Sequence, residues 1–506
     1  MKLAHLLLFS QKPKANRRKR LSSFLSLSPL LLCSLALLFF VLPAFSQQKW
    51  DRIYGGANED YGYSVQQTSD SGYIITGETT SFGHPPFTDV YLIKTNSYGY
   101  PLWTKTYGGT NWDGGRSVQQ TSDGGYIIAG YTYSFGPGTP DYSNVYLIKT
   151  NASGDTLWTK TYGGIYTDSG CSVQQTSDKG YIIAGFTNSF GAGNYDVYLI
   201  KTNASGVTLW TRTYGGTGDD KGYSVQQTPD GGYIIAGYTN SLGAGNYDVY
   251  LIKTNISGDT LWTRTYGGMY DDEGYSVQQI WDAAYGGYIV AGYTYSFGPG
   301  TPDYSNVYLV KTNDLGDTIW TRIYGGMYDD EGYSVQQTTD GGYIIAGSNS
   351  NDNGDVYLIK TNAFGDTLWT RSIGYYNLMA FDEGYSVQQT SDSGYIIVGS
   401  TVYSSEDVYL IKTDTMGIWW LGVETETNPS SRLPPSASRL TVSPNPFTSF
   451  ASVPGHSSER FALYDISGRK AGVYKGDRIG EGLSAGVYFL RAEKGGQKPL
   501  RIVKVG

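Results

Sequence analysis

The chain has 506 residues, enough for more than one domain, and it combines 68 Gly and 47 Tyr with a charged fraction of only 16%. This composition favours a β-rich fold with many turns over a helical one, and the central region shows no helical periodicity over a useful length. The formal net charge of −8 argues against nucleic acid or an anionic membrane surface as a partner.

The N-terminus has the features of a secretory signal peptide. Six Lys and Arg residues lie within residues 12–20, and an apolar stretch follows over residues 30–45. We therefore expect cleavage between Ser46 and Gln47, so that residues 1–46 are removed and no stable transmembrane anchor is left. An uncleaved anchor is the alternative, although the apolar stretch is short for a membrane span. Cleavage removes seven Lys and Arg and no Asp or Glu, which changes the formal net charge from −8 to −15.

Seven copies of one unit follow. Each reads approximately Gly-Tyr-Ser-Val-Gln-Gln-Thr, a turn, Tyr-Ile-Ile-Ala-Gly, a variable loop, Asp-Val-Tyr-Leu-Ile-Lys-Thr, a Gly turn and Thr-Leu-Trp-Thr-Arg-Thr-Tyr-Gly-Gly. Such a unit cannot bury both of its faces alone, so neighbouring units must stack. The Val of Ser-Val-Gln-Gln marks the copies at intervals of 52 to 58 residues: Val65, Val118, Val173, Val225, Val277, Val335 and Val387.

Each unit is predicted to form four short antiparallel strands. The second and third strands are apolar at consecutive positions, for example Ile182, Ile183 and Ala184, which indicates that both faces of the sheet are covered. Blades arranged radially provide this cover, so we predict an all-β chain with a seven-bladed β-propeller of four-stranded antiparallel blades over residues 47–422. An open solenoid would need polar caps at both ends, and the sequence shows none.

Two segments compete for the outer strand of the last blade. Residues 50–56 match the end of a unit, and in a ring they can join the two ends of the propeller. A second, degenerate segment at residues 417–421 contains Trp419 and Trp420. We favour the segment of Trp50, because its Tyr-Gly-Gly is intact.

The units resemble those of bacterial repeat propellers. The Trp after each Gly turn is similar to the tryptophan-docking units of quinoprotein-type propellers, and Tyr-Ile-Ile-Ala-Gly is similar to a kelch strand. Kelch units carry Gly-Gly where this chain has Ala129 and Gly130, and their Tyr-to-Trp spacing is shorter. The resemblance therefore implies the fold of residues 50–420 and no particular function.

A different composition begins near residue 423. Residues 423–439 are rich in Pro and Ser and are interpreted as a linker. Residues 440–506 alternate short strands with Gly turns, which predicts a small C-terminal β-sandwich. This domain contains Pro-Asn-Pro-Phe at 444–447, Asp-Ile-Ser-Gly-Arg at 465–469 and Gly-Val-Tyr-Phe-Leu at 486–490.

These three motifs, in this order, resemble the type A sorting domain of the type IX secretion system. The resemblance implies that the secretion machinery recognises residues 440–506 and exports the protein across the outer membrane, often with removal of the domain and attachment to the cell surface. The alternative is an ordinary immunoglobulin-like domain. We accordingly expect a bacterial protein that is secreted or displayed on the outer cell surface.

The sequence offers no convincing catalytic or cofactor site. Its three His residues, His5, His84 and His456, have no spacing that suits a metal centre or a catalytic triad. No Gly-rich nucleotide-binding motif follows a strand and opens a helix. Cys171 replaces the Tyr found at this place in most other units and is interpreted as drift within a repeat. We therefore expect no catalytic residue and no cofactor.

Acidic loops form the candidate ligand face. The loop from the fourth strand of one unit to the first strand of the next is acidic, and the loop between the second and third strands carries an aromatic tip on the same face of the disc. This face could hold Ca²⁺, a glycan or a basic peptide. The alternative is that the acids are solvated turns and the Phe side chains fold against the neighbouring blade. The candidate residues are Asp219, Asp220, Asp271, Asp272, Glu273, Asp329, Asp330, Glu331, Phe135, Phe190 and Phe297.

The Gln pair of each first strand, such as Gln226 and Gln227, is expected to lie at the central channel and to form hydrogen bonds between blades rather than to bind a ligand. Three functions remain open. We favour a monomeric, non-catalytic scaffold for binding or adhesion, because binding surfaces tolerate repetition whereas active sites usually break it. The alternatives are a secreted polysaccharide hydrolase that uses carboxylates such as Asp271 and Asp272, and a structural protein of the cell envelope.

Overall fold

The computed structural model describes residues 48–280, 286–350, 354–374, 381–402, 405–419, 452–453, 460–465, 469–475, 477–484, 486–492 and 500–504. The expected signal peptide with Ser46 and Gln47, the linker at 423–439 and the Pro-Asn-Pro-Phe motif lie outside the described residues. The regular secondary structure within the described ranges consists of β-strands. No helix that is long and apolar enough to span a membrane is found in these ranges.

Six blades are built from strands that follow one another in the chain, after a first strand β1 (Trp50–Tyr54). Blade 1 contains β2 (Asp60–Gln67), β3 (Tyr73–Thr79), β4 (Asp89–Thr95) and β5 (Pro101–Tyr107). Blade 2 contains β6 (Asp113–Gln120), β7 (Tyr126–Thr132), β8 (Asn144–Thr150) and β9 (Thr156–Tyr162). Blade 3 contains β10 (Asp168–Gln175), β11 (Tyr181–Thr187), β12 (Asp196–Thr202) and β13 (Thr208–Tyr214).

Blade 4 contains β14 (Asp220–Gln227), β15 (Tyr233–Thr239), β16 (Asp248–Thr254) and β17 (Thr260–Tyr266). Blade 5 contains β18 (Asp272–Ile280), β19 (Gly287–Thr294), β20 (Asn306–Asn313) and β21 (Thr318–Tyr324). Blade 6 contains β22 (Asp330–Gln337), β23 (Tyr343–Asn349), β24 (Asp355–Thr361) and β25 (Thr367–Ile373). Each sheet is an antiparallel meander, which confirms the predicted blade.

The seventh blade closes the ring with the N-terminal strand. It contains β26 (Glu383–Gln389), β27 (Tyr395–Val402) and β28 (Glu406–Thr413), and β1 pairs antiparallel with β28 from Trp50 opposite Lys412 to Tyr54 opposite Val408. The preference for the segment of Trp50 is therefore confirmed. Trp419 instead packs, partly buried, against the core between blades 6 and 7, and Trp420 lies outside the described residues.

The core lies between neighbouring blades, because each sheet is apolar on both faces. Between blades 3 and 4, for example, Ala184 and Leu199 of one sheet pack with Val225, Ile235 and Ile252 of the next. A similar cluster joins blade 7 to blade 1, where Trp50 packs with residues of both sheets. All seven gaps are filled in this way, so no blade is stable in isolation.

The turn between the first two strands of a blade needs a residue with positive φ. Gly occupies this place at Gly124 and Gly231, with φ of 83° at both. Ser71, Lys179 and Ser393 take the same place with φ of 66°, a conformation that costs a side-chain-bearing residue about 1 kcal/mol or more. The turn is retained at these places because the flanking strands fix its geometry.

A separate four-stranded antiparallel sheet lies at the C-terminus. Its strands are β29 (Arg460–Asp465), β30 (Lys470–Lys475), β31 (Gly486–Ala492) and β32 (Leu500–Lys504), in the order β30-β29-β31-β32. Phe461, Leu463, Ile479 and Leu490 form its core. The expected small β-domain is thus present, and the residues described there show one sheet.

Candidate functional site

The innermost strands of the seven blades surround a central channel. The Val and the first Gln of every Ser-Val-Gln-Gln line a cavity of about 250 Å³. Because the seven strands contribute the same two residue types, this part of the channel is nearly symmetric.

The first Gln of every pair connects adjacent blades, and the second Gln does so in most pairs. The side chain of Gln66 accepts a hydrogen bond of 2.6 Å from the backbone amide of Gln120 in blade 2, and the Gln388 side chain accepts the matching bond of 2.6 Å from Gln67. The second Gln reaches in the opposite direction, since Gln120 Oε1 accepts from the amide of Ser69 at 2.9 Å. The expected role of the Gln pairs in joining blades is confirmed, and the ring includes the contact from the last blade to the first.

Three of the candidate acids are not on an exposed rim. Asp220, Asp272 and Asp330 begin the innermost strands and are at most 1% exposed. Asp272 Oδ2, for instance, accepts from the amide of Gly268 at 2.7 Å and from Ser296 Oγ at 2.7 Å. These three carboxylates are therefore buried acceptors for donors of the turn between blades rather than solvated groups on an exposed rim, and their role in ligand binding stays a prediction.

The acids that precede them are partly exposed. Asp329 Oδ1 accepts from the backbone amide of Ser305 at 2.9 Å. Asp219 and Asp271 each have an Oδ1 atom that is shielded from solvent and has no hydrogen-bond partner among the described residues. Both side chains lie near Tyr247 of blade 4, because burial and then the negative charges of Asp219 and Asp271 raise the pKa of Tyr247.

The aromatic tips lie on their own blades. Phe135, Phe190 and Phe297 are 41%, 46% and 37% exposed. Their rings contact Tyr146, Tyr198 and Tyr308 at centroid distances of 5.8 to 5.9 Å, and each of these tyrosines belongs to the third strand of the same blade. Each ring therefore contacts a tyrosine of its own blade and stays partly accessible to solvent.

Sequence reasoning missed a ring of side chains around the axis. It comprises the fourth residue of each innermost strand in blades 1 to 6 and its equivalent in blade 7, and we call it the axial ring. Five members are tyrosines whose rings contact one another from blade to blade at 4.8 to 5.5 Å, whereas the other two members are Arg and Cys. The axial ring contains Tyr63, Arg116, Cys171, Tyr223, Tyr275, Tyr333 and Tyr385.

One part of the axial ring holds its own cation. The guanidinium of Arg116 lies 4.1 Å from the ring centroid of Tyr63 and 5.3 Å from that of Tyr131, and its Nη2 atom is 3.3 Å from Glu78 Oε1. Tyr63 and Tyr131 also donate hydrogen bonds to Glu78 at 2.6 and 2.5 Å. Glu78 is 5% exposed, so a buried carboxylate is balanced by a partly exposed cation that contacts two aromatic rings.

A lysine lies among aromatic rings in the adjacent part of the site. Lys221 Nζ is 4.7 Å from the ring centroid of Phe186, 4.6 Å from Tyr195 and 5.9 Å from Tyr238. Cys171 lies near both Lys221 and Arg116, and burial raises the pKa of its thiol to about 11. This thiol is therefore protonated at neutral pH and is not an activated nucleophile.

The opposite part of the site is acidic. Glu273, Glu331 and Glu383 occupy the second residue of the innermost strands in blades 5 and 6 and the equivalent place in blade 7, and we call them the acidic arc. Each accepts a hydrogen bond from the axial tyrosine two residues later in its own strand. Burial raises the pKa of Glu331 to about 7, and the negative charges of Glu383, Asp329 and Glu273 add to this shift.

A comparison of the units with one another could have found the site. The units are nearly identical at the apolar positions, but the second and fourth residues of the first strand and the residue opposite the second one differ from blade to blade. In blade 1, for instance, Tyr61 pairs with Glu78, whereas Lys221 pairs with Tyr238 in blade 4 and Glu331 with Ser348 in blade 6. The paired residues share one face of the sheet, so the differences between units lie near the axis.

No cluster of three or more His, Cys, Asp or Glu residues suited to a metal ion occurs within the part of the chain that the structure describes. The fold and the site together define the class of protein: a seven-bladed β-propeller whose axial opening differs in chemistry from side to side.

Comparison with known proteins gives limited further information. No family model matches the chain. Regulatory protein FlaEY from Caulobacter vibrioides is 24% identical over 205 residues, which correspond to 36% of this chain and 21% of FlaEY. The chain therefore spans about a fifth of the length of this relative.

Solved structures with a similar fold are distant in sequence. The WD40 domain of Pan2 from Neurospora crassa has a TM-score of 0.42 and 10% identity, over 71% of this chain and 89% of that one. Sqt1 from Chaetomium thermophilum has a TM-score of 0.41 and 11% identity, over 73% of this chain and 100% of that one. A protein of unknown function from Bacteroides caccae has a TM-score of 0.34 and 11% identity, over 57% and 92% of the two chains. Since these TM-scores are below 0.5, the blade count rests on the strand pairing alone.

Proposed function

We propose that this protein is a non-catalytic binding scaffold that recognises its partner at the axial opening of the propeller. The observation that carries the proposal is the distribution of differences between units. Blades that are almost identical in their cores and glutamine ring differ where their innermost strands meet the axis. A merely structural role would be served by a uniform ring, whereas recognition of an asymmetric partner needs different groups on different blades.

The proposal also includes export. The basic and apolar N-terminal segment supports cleavage between Ser46 and Gln47. The sorting-domain motifs in residues 440–506 support transport by a type IX secretion system to the cell surface or the medium. Fractionation of a host that has this system tests this part, with a variant that lacks residues 440–506 as the comparison. We expect the full chain outside the outer membrane and the truncated chain in the periplasm.

The hydrolase alternative loses the residues on which it was based. It relied on carboxylate pairs such as Asp271 and Asp272, and Asp272 is completely buried and bonded to its own turn. A buried carboxylate that already accepts two hydrogen bonds cannot reach a glycosidic oxygen. We therefore retain binding as the proposed function, together with the absence of catalysis as part of the proposal.

Binding to immobilised glycans and peptides tests the proposed site. The full chain would be compared with Tyr223→Ala, which opens a gap in the axial ring, and with Ile256→Ala as a matched control. Ile256 is 63% exposed in a turn near the outer edge of blade 4. We expect a ligand of the full chain to be lost by Tyr223→Ala and kept by Ile256→Ala. Equal binding by all three proteins, each with an intact thermal transition, would contradict recognition at the axis.

A further inference from the structure

The site in blades 1 and 2 shows which group suits a glutamate flanked by axial tyrosines. Glu78, Tyr63 and Tyr131 enclose the guanidinium of Arg116 with one ion pair, two hydrogen bonds to the carboxylate and two ring contacts. A guanidinium is always charged, is planar and stacks on aromatic rings, so it fits this combination better than a neutral group does. The chain thus contains one occupied example of the arrangement.

Blades 6 and 7 bring the same residue types together from other positions, since Glu331 and Glu383 lie on the innermost strands β22 and β26 whereas Glu78 lies on β3. Tyr333 donates to Glu331 and Tyr385 donates to Glu383, and the two tyrosine rings contact each other at a centroid distance of 5.4 Å. Among the residues that the structure describes, no Lys or Arg forms an ion pair with either glutamate. The same residue types are therefore present, but the positive group is missing.

The electrostatics of the acidic arc favour an external cation. Glu331 is close enough to Glu383, Glu273 and Asp329 for all three charges to repel its ionised form. Asp271 repels Glu273 in the same way, and one of its carboxylate oxygens has no hydrogen-bond partner in the described structure. Like charges held together near a low-dielectric wall attract a counter-charge strongly.

The two arrangements differ in the exposure of the carboxylate. Glu78 is 5% exposed, whereas Glu331 and Glu383 are partly exposed, like the tyrosines of both arrangements. The acidic arc can therefore be reached from solvent. Lys221 of blade 4 lies near Glu273 of the adjacent blade 5, and its positive charge acts on that carboxyl, so a bound cation would be directed towards Glu331 and Glu383 in blades 6 and 7.

We propose that Glu331 and Glu383, together with Tyr333 and Tyr385, bind a guanidinium or ammonium side chain that a protein partner inserts into the axial opening. The inference rests on the proposed binding function and specifies the chemistry of its ligand. An inserted arginine can form charge-assisted hydrogen bonds with the two carboxylates while its plane stacks on the tyrosine rings, as Arg116 does in blade 2.

Calorimetric titration of the full chain with two capped pentapeptides tests the chemistry directly. The first peptide is Gly-Gly-Arg-Gly-Gly, and in the second the Arg is replaced by citrulline, which has nearly the same shape and no charge. We expect the Arg peptide to bind at least tenfold more tightly than the citrulline peptide at pH 8 and low ionic strength. Equal affinity for the two peptides, or binding of neither, would overturn the assignment of a cationic ligand.

Variants locate the site. The double variant Glu331→Gln/Glu383→Gln keeps the shape of both side chains and should weaken Arg peptide binding at least tenfold. Glu59→Gln removes an exposed carboxylate in the loop before β2, and the affinity of this variant should stay within twofold of the parent chain. An equal loss in both variants would show a non-specific effect of charge and overturn the site.

Two further outcomes separate this inference from the proposed function. Tighter binding of spermidine, a polyamine whose amino groups are largely protonated at pH 8, than of the Arg peptide would overturn a protein partner. If Tyr223→Ala abolishes binding of an array ligand but the Arg and citrulline peptides bind equally, the axial opening remains the binding site and the cationic ligand is wrong. The peptide comparison needs no variant, so it holds even if the double variant fails to fold.

Discussion

Arg116 of blade 2 and Glu78 of blade 1 form an ion pair at 3.3 Å beside the propeller axis, and both tyrosines that flank it belong to the same two blades. The pair therefore has two roles. It joins neighbouring blades at their inner edge, and it fills a part of the axial opening that would otherwise carry a buried negative charge.

Removal of this arginine should destabilise the fold much more than removal of a surface arginine. In Arg116→Met, Glu78 stays 5% exposed without its cation, and we expect a loss of about 3 kcal/mol in the free energy of unfolding. Arg212→Met is the matched control, because Arg212 pairs with Asp259 at 3.3 Å with both side chains more than a third exposed, and such pairs contribute about 0.5 kcal/mol. Urea unfolding measures both; equal losses would contradict the role of Arg116 in balancing the charge of the buried Glu78 carboxylate.

Closure by the N-terminal strand predicts a large effect at Trp50. This side chain is 8% exposed, packs in the core that joins blades 7 and 1, and contacts the Tyr73 ring at 5.7 Å. Trp50→Ala should therefore lower the stability by about 3 kcal/mol or more. Trp419→Ala should have a smaller effect, because Trp419 is only partly buried. Differential scanning calorimetry would reveal the reverse order if the later segment closed the ring.

The glutamine ring offers a test with an internal control. Gln120 Oε1 accepts from the amide of Ser69, but the equivalent position opposite Gln279 is Pro229, which has no amide hydrogen. We expect Gln120→Leu to cost about 1 kcal/mol and Gln279→Leu clearly less. The midpoints of chemical denaturation of the two variants test this prediction. Equal midpoints would show that the side chain of the second Gln does not stabilise the contact between blades.

Glu331 should make the fold more stable in mild acid than at alkaline pH. Burial, and then the charges of Glu383, Asp329 and Glu273, raise the pKa of Glu331 from 4.5 to about 7 on folding. The folded chain then binds more protons than the unfolded chain between these values, so the stability falls as the pH rises from 4.5 through 7. Glu331→Gln removes this dependence and should gain about 2 kcal/mol at pH 8 and little at pH 4.5.

Thermal unfolding of Glu331→Gln and the parent chain at both pH values checks this prediction. Glu59→Gln again serves as control, because Glu59 is exposed and should change neither value. A Glu331→Gln protein that is no more stable than the parent at pH 8 would mean that the acidic arc is not under electrostatic strain.

The propeller was predictable because each of the seven units repeats the same pattern of apolar strands and turns. Consecutive apolar residues such as Ile182, Ile183 and Ala184 require cover on both faces, and seven copies of one unit supply it. The choice of Trp50 over Trp419 followed from an intact Tyr-Gly-Gly. Both features depend on short runs of neighbouring residues, which can be read directly from a single sequence.

The axial site was not predictable in the same way. Its contacts join residues about one unit apart, such as Glu78 and Tyr131, which are separated by 53 positions. The acid content of the sequence could not show that Asp272 accepts a hydrogen bond from its own turn, whereas the next residue, Glu273, accepts one from the axial residue Tyr275. Only the ring geometry brings the residues that differ between units into one opening.

Hydrogen exchange of the full chain with and without saturating Arg pentapeptide tests the central claim most directly. The account predicts slower exchange in the innermost strands β22 and β26, which carry Glu331 and Glu383, and no change in outer strands such as β13. Protection that is confined to outer strands, or no protection anywhere, would contradict recognition at the axial opening.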